Sequence, residues 1–433
     1  MTETTTAPVA APACRGCEEE ARARTLTRRG LLRSFGIGAG AAGLGGLSLA
    51  HAQVAFADGP WVGDTIVVLS LRGGFDGLNA VAPVGDPDYE TLRPTIRVPQ
   101  GQALALDSMF GLHPAMAPLK GHWDAGRLTA VHAAGLPSPN RSHFEAMDEI
   151  ERAAPGASAR TGWLDRTLGL HDSSGPFQGV QLGSTSMPMS MMGQVEKLGM
   201  SSLRDFGLSG VGDATARTQW KTALGALHSD AGPLLKASSS ATLAALDTAA
   251  GFSGDYTPAN GADYPDSGLG RTLRDVARLI KADVGARVIT LDEGDWDMHS
   301  DLGTVGGGWQ RDKLADLAGS LDAFATDLGT ALDRVTLVTL SEFGRRCEEN
   351  ESQGVDHGWG NVMLVMGGHV VPGMHGTWPG LSEAAMTDGD LTVTTDYRAV
   401  LADVLTHRCG ASAAQVTTVF PGFTGATLGI TTP

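Results

Sequence analysis

Residues 334–344, RVTLVTLSEFG, decide the fold. Six apolar or β-branched residues in succession, with no polar alternation, read as a strand buried on both faces, the habit of a parallel sheet. Glu342 follows at once, and then a charged loop, GRRCEENESQGVDHGWGN, running to Asn361. An apolar strand that delivers a carboxylate, and a loop that returns an acid and an imidazole at Asp356 and His357, is how many metal sites are built.

Further runs of the same kind lie along the chain: DTIVVLSLRGG from Asp64, LTAVHAAG from Leu128, ARVITLDEG from Ala286 and VMLVMGG from Val362. Helical patterns separate them. In GWQRDKLADLAGSLDAFATDLGTALD the residues Leu314, Leu317, Leu321, Phe324, Leu328 and Leu332 recur at spacings of three and four, one apolar helix face. HPAMAPLKGHWDAG and DYRAVLADVLTHRCG are shorter examples, the second closed by a Cys-Gly stop. Strands alternating with helices predict a doubly wound α/β domain over residues 58–433, with a largely parallel sheet between helical layers. Residues 182–270 are rich in Gly, Ser, Ala and Met and contain two evident loops, GSTSMPMSMMG and TPANGADYPDSG; a cap and a loosely organised surface insertion are both consistent with them. No repeat of fixed period stands out, which argues against a solenoid or propeller.

The 433 residues, 42% hydrophobic and 18% charged, are ordinary for a globular chain, and a net charge of −16 would repel a nucleic-acid backbone. TRRGLLR from Thr27, then a Gly/Ala-rich apolar stretch ending near Ala57, predicts a twin-arginine export signal over 1–57. Glycines throughout that stretch argue against a spanning helix, so no transmembrane segment is expected in the mature chain. The expected location is periplasmic, envelope or extracellular. Cys14 and Cys17 would leave with the signal, and Cys347 and Cys409 remain; whether they pair is not legible in sequence.

In an open α/β sheet, ligands gather at the carboxyl ends of the strands, and those positions are chemically loaded here. LDEGDWDMHSDLG places Asp297 and His299 two apart, on one side of an extended backbone. Oxygen and imidazole together suit Zn²⁺, Mn²⁺ or Fe better than Ca²⁺ or a site made of carbonyls; Zn²⁺ or Mn²⁺ is the expectation, with Ca²⁺ or Mg²⁺ as the alternative. Asp76 ends the first strand, where it is either a ligand or the cap of the next helix. NRSHFE brings Arg141, Ser142 and His143 to a loop-to-helix junction. Ser142 there is a candidate nucleophile and also has the capping-box spacing to Glu145. Arg345 and Arg346 are expensive to bury unpaired, and are candidates for a substrate anion or for bridges to Glu348 and Glu349. His113, His132, His369 and His375 read as structural.

With these motifs in hand, LRGGFDGLNAVAP, LHPAM, NRSHFEAMDE, WDMH, SEFGRR and ENESQGVDHGWGN, in that order, the chain resembles the exported bacterial family called domain of unknown function 1501. That family is placed with the alkaline phosphatase-like, or sulfatase-like, superfamily. The resemblance implies an α/β/α sandwich with metal ligands on loops after the strands. By position, Asp76 resembles the superfamily's first-strand aspartate and Ser142 stands near its nucleophile. Asp297 and His299 match the family's Asp-x-His, Glu342 its SEFGR, and Asp356 with His357 its Asp-His-Gly. Phe343 stands where two-zinc relatives carry a ligand, and Met298 where relatives commonly carry Thr. The expectation is a metal-dependent hydrolase of phosphate or sulfate esters, with Arg141, Arg345 or His143 assisting Ser142 or water. The alternative is a non-catalytic exported binding protein with one structural metal; a protein partner is implied by the resemblance only. A redox enzyme lacks any dinucleotide fingerprint.

Overall fold

A computed structural model describes residues 63–433 apart from 173–174, 209–212, 231 and 253. The expected signal, its cleavage region and Cys14 and Cys17 lie outside the described residues. Nine strands form one sheet. In chain order they are β1 (Thr65–Leu71), β2 (Leu128–Gly135), β3 (Gly179–Leu182), β4 (Leu198–Met200), β5 (Val288–Glu293), β6 (Val335–Leu340), β7 (Asn361–Gly367), β8 (Gly373–His375) and β9 (Thr395–Asp396). Across the sheet the order is β8-β2-β7-β6-β1-β5-β3-β4, with β9 also on β2. All five apolar runs become strands.

β1 lies between β5 and β6 and is parallel to both. Its alternation builds the layers. Val67, Leu69 and Leu71 point into one core, and Ile66 and Val68 into the other. The first core is roofed by α1 (Ala117–Asp124), α3 (Gly268–Lys281) and α4 (Trp309–Leu328), and the second by α2 (His143–Arg152) and α5 (Tyr397–Cys409). The result is the expected three-layer α/β/α sandwich. α4 buries Leu314, Leu317, Leu321, Phe324 and Leu328, as its spacing predicts. Each such side chain contributes about 1.5–3 kcal/mol by leaving water. α5 stops at Gly410, whose φ of 65° supplies the left-handed cap.

One strand departs from the parallel expectation. β7 runs antiparallel to both β2 and β6. Its residues VMLVM are apolar on both sides because both faces are covered: Val362, Leu364 and Met366 enter one core, Met363 and Val365 the other. Continuous apolarity reports burial of two faces, and direction is set by the connection.

β3 leads into the Gly/Ser/Met-rich middle, which adds β4 at the sheet edge and then two helices, Ala214–Leu227 and Pro233–Ala249. Ala214–Leu227 buries none of its residues. Ala245, Ala249 and Phe252 tie the end of the second helix to the first core. Cys347 and Cys409 are buried and free. No described helix is long and apolar enough to cross a membrane.

Candidate metal centre

Four loops leaving the carboxyl ends of β1, β2, β5 and β6 meet at one place. After β5 burial alternates along WDMH, so Trp296 and Met298, each 1% exposed, anchor in the first core, while Asp297 and His299 stay partly open beside it. The loop after β6 returns through Gly354 to bring Asp356 and His357 alongside. A Cβ on Gly354 would sit 2.2 Å from the carbonyl carbon of His299, so glycine there lets the two loops touch. α2 begins at His143, capped by Ser142, and carries that imidazole in from a third direction.

The imidazoles converge on one oxygen. Asp297 Oδ1 lies 2.9 Å from His299 Nε2, 3.1 Å from His357 Nε2 and 3.5 Å from His143 Nε2. His299 Nε2 and His357 Nε2 are 3.0 Å apart. Each ring is also held from behind. His143 Nδ1 meets Glu342 Oε1 at 2.8 Å, His299 Nδ1 meets Asp356 Oδ1 at 2.8 Å, and His357 Nδ1 meets the Arg141 carbonyl at 2.9 Å. A carboxylate or carbonyl can only accept, so the hydrogen-bond partners assign the proton of each neutral ring to Nδ1. That leaves Nε2 lone pairs facing one another and a carboxylate oxygen.

Such an arrangement needs positive charge in its midst. Protons supply some of it. Burial disfavours the cation of His143, but hydrogen bonds to Asp297 and Glu342 outweigh it and raise the ring to about 9. His299 is raised by Asp297 and Asp356 against the same burial penalty, whereas burial prevails at His357 and lowers it. Burial opposes the charge on Asp297 as well, but its hydrogen bonds to the three imidazoles and the charge of Arg345 hold its carboxyl far below the usual range.

A divalent cation fits the same place. His143, Asp297 and His357 each offer a ligand atom within 4.8 Å of the others, and the buried Nε2 of His143 approaches Asp297 Oδ1 no closer than 3.5 Å. Tetrahedral coordination with bonds of about 2.0 Å gives ligand-to-ligand edges of about 3.3 Å. The separations of 2.9–3.5 Å bracket that value. Carboxylate-backed histidines are the usual outer support of such ligands.

Several expected site residues lie elsewhere in this scheme. Glu342, 3% exposed, is not gathered among the Nε2 atoms; its carboxylate accepts from His143 Nδ1 and from the Gly73 amide, at 2.8 Å each. Asp356 likewise supports His299 from behind. Asp76 is buried and held by Arg93 Nη1 at 2.7 and 2.9 Å and by Gln310 Nε2 at 2.8 Å, so its charge is already neutralised by a guanidinium. Arg345 is 1% exposed, and its three nitrogens serve the carbonyls of Gly73, Gly74, Val355 and Trp296 as well as Asp297 Oδ1. With every nitrogen engaged inside the protein and the side chain shut away from solvent, the expectation that Arg345 grips a substrate anion gives way to a scaffolding role. Ser142 accepts from the Glu145 amide at 3.5 Å as the cap of α2, and Arg141 bonds Asp390.

Phe343 backs the rings, its centroid 4.8 Å from both His143 and His357. The sequence singled out Phe343 only as standing where two-zinc relatives carry a ligand; its packing against the rings was not legible. The weaker histidines are structural as read: His113 Nδ1 caps a turn at Ala115, and His132 bonds the Val81 carbonyl.

The family model described as "Protein of unknown function (DUF1501)" matches residues 64–419. The chain belongs to this family. No curated protein matches it. Among solved structures, the DUF1501 chain is similar to the lipoteichoic acid synthase LtaP from Listeria monocytogenes, at 9% identity over 77% of this chain and 74% of that one, TM-score 0.32. It is similar also to the C-terminal periplasmic domain of EcEptC from Escherichia coli (10%, 84% and 89%, TM-score 0.34). A third is the PsFucS1 sulfatase from Pseudoalteromonas sp. (12%, 72% and 64%, TM-score 0.32).

Proposed function

We propose that this DUF1501 protein is an exported, metal-dependent hydrolase of phosphate or sulfate esters, its divalent cation, Zn²⁺ or Mn²⁺, held by His143, Asp297, His299 and His357. The observation that carries the reading is the convergence of three Nδ1-pinned imidazoles on Asp297 Oδ1. Bound there, such a cation supplies Lewis-acid stabilisation of charge developing on an ester oxygen. The chain supplies the rest. Glu342, Asp356 and the Arg141 carbonyl orient the rings, Arg345 fixes Asp297, and Phe343 keeps water from the back of the site. Ser142, one residue before His143, stands as the nucleophile, with water as the alternative.

The test is hydrolysis of a panel of aryl phosphates and sulfates by protein loaded with Zn²⁺ or Mn²⁺. Turnover should fall at least about 100-fold in Asp297→Ala. Ser142→Ala should abolish turnover if the serine attacks and spare it if water does.

One observation favours a second reading, a binding or assembly protein with a structural metal. Asp76 and Arg345, both candidates in the sequence, are engaged by internal contacts. Absence of turnover across the panel by metal-loaded, folded protein would decide for that reading.

A further inference from the structure

Arg141 and Arg346 flank the centre and differ from every arginine inside it. Arg141 lies two residues before His143, and its carbonyl pins His357. Arg346 follows Arg345, and its amide bonds the Asp356 carbonyl at 2.9 Å. Both side chains turn toward Asp390, a carboxylate only 1% exposed. Arg141 places Nε at 3.0 Å and one Nη at 2.5 Å from Asp390 Oδ2. Arg346 gives Nη2 to the Asp388 carbonyl at 2.7 Å, while its Nη1 stays 3.9 Å from Asp390 Oδ1, beyond hydrogen-bond reach. That buried oxygen has no hydrogen-bond partner.

Donors are therefore in surplus. Among the described residues, Arg141 Nη1 and the Nε and Nη1 of Arg346 make no hydrogen bond, and the two side chains are 39% and 35% exposed. By contrast Arg345 and Arg93 spend all three nitrogens inside the protein. A buried carboxylate between two half-exposed guanidinium groups orients both while leaving a fork of donors toward solvent, the geometry that takes an oxyanion in bidentate fashion.

We propose that Arg141 and Arg346, set by Asp390, form an anion subsite beside the metal centre, selecting substrates that carry a second anionic group besides the ester that reacts. The inference rests on the reading that the centre acts on an anionic ester.

The test uses metal-loaded full chain and calorimetric titration with methanesulfonate and with a series of α,ω-alkanedisulfonates of increasing length, which chelate metal weakly. At least one disulfonate should bind wild type about tenfold more tightly than the monosulfonate. That preference should vanish in Arg141→Gln and in Arg346→Gln, with metal content and far-UV circular dichroism unchanged. Equal affinity for every disulfonate and the monosulfonate, or a preference that survives both glutamine variants, overturns the subsite. Failure of the hydrolase reading appears separately, as absent ester turnover by the same metal-loaded protein.

Discussion

Glu342 acts through His143 rather than beside it. Its charge and its acceptance of the Gly73 amide hold the ring with Nε2 toward Asp297, and its carboxyl is kept ionised against burial by the hydrogen bond from His143. Glu342→Gln preserves shape and removes the charge, so metal affinity should drop about 10–100-fold while the fold is retained, as read by metal titration. Arg345 is a different case. Removing its guanidinium in Arg345→Leu strips donors from four buried carbonyls and from Asp297, so unfolding free energy in urea should fall by about 3 kcal/mol or more. At this scale sequence reading was uneven, for physical reasons. Asp297 and His299 were legible because period-two alternation with Trp296 and Met298 needs nothing beyond the local chain. The role of Asp76 was not, since the Arg93 that neutralises it arrives from a four-residue helix whose packing no local pattern reveals. His143 read first as the neighbour of a candidate serine because its partner Glu342 lies 199 residues away.

The site is a meeting of loops, and the loops touch because glycine allows it. Gly354→Ala would thrust a methyl group into the His299 backbone and part the loop carrying Asp356 and His357 from the loop carrying Asp297 and His299. Metal affinity should fall at least about tenfold with secondary structure intact; wild-type affinity in this variant would contradict the account. Gly73, with φ of 113° and a would-be Cβ 2.8 Å from the Asp297 amide, has the same duty on the other side. Elements themselves were well legible. Every apolar run became a strand and the three helical patterns became helices, because burial on two faces or on one stripe is written in composition. The direction of β7 was not legible, because its pairing depends on a chain reversal through residues with no strong pattern of their own. β4 was hidden in the Gly/Ser/Met-rich middle and β3 just ahead of it, because strands this short carry little apolar signal.

Across the whole molecule, stability depends on histidines kept neutral away from the centre. His132 Nδ1 accepts from the Ala133 amide and its other nitrogen bonds the Val81 carbonyl, while the ring stacks on Phe110. Burial lowers His132 and His113 to about 4. A group whose folded pKa is depressed below its unfolded value near 6.5 binds its proton more readily when unfolded. Its contribution is thus complete above about pH 6.5 and is lost as pH falls toward 4. Each such group steepens the acid loss by up to about 1.4 kcal/mol per pH unit, and His132→Gln should remove one such increment between pH 6 and 4, as read by urea unfolding at stepped pH. An unchanged slope would contradict the neutral assignment. The −16 net charge, by contrast, says little about the sandwich.

The proposed binding of a divalent cation by three imidazoles and Asp297 is tested by elemental mass spectrometry on folded full chain, purified after growth with Zn²⁺ and Mn²⁺. Near-stoichiometric metal in wild type, lost in both Asp297→Ala and His143→Ala, is the predicted result. Metal-free wild type that stays metal-free after reconstitution, or variants that keep their metal, would contradict it.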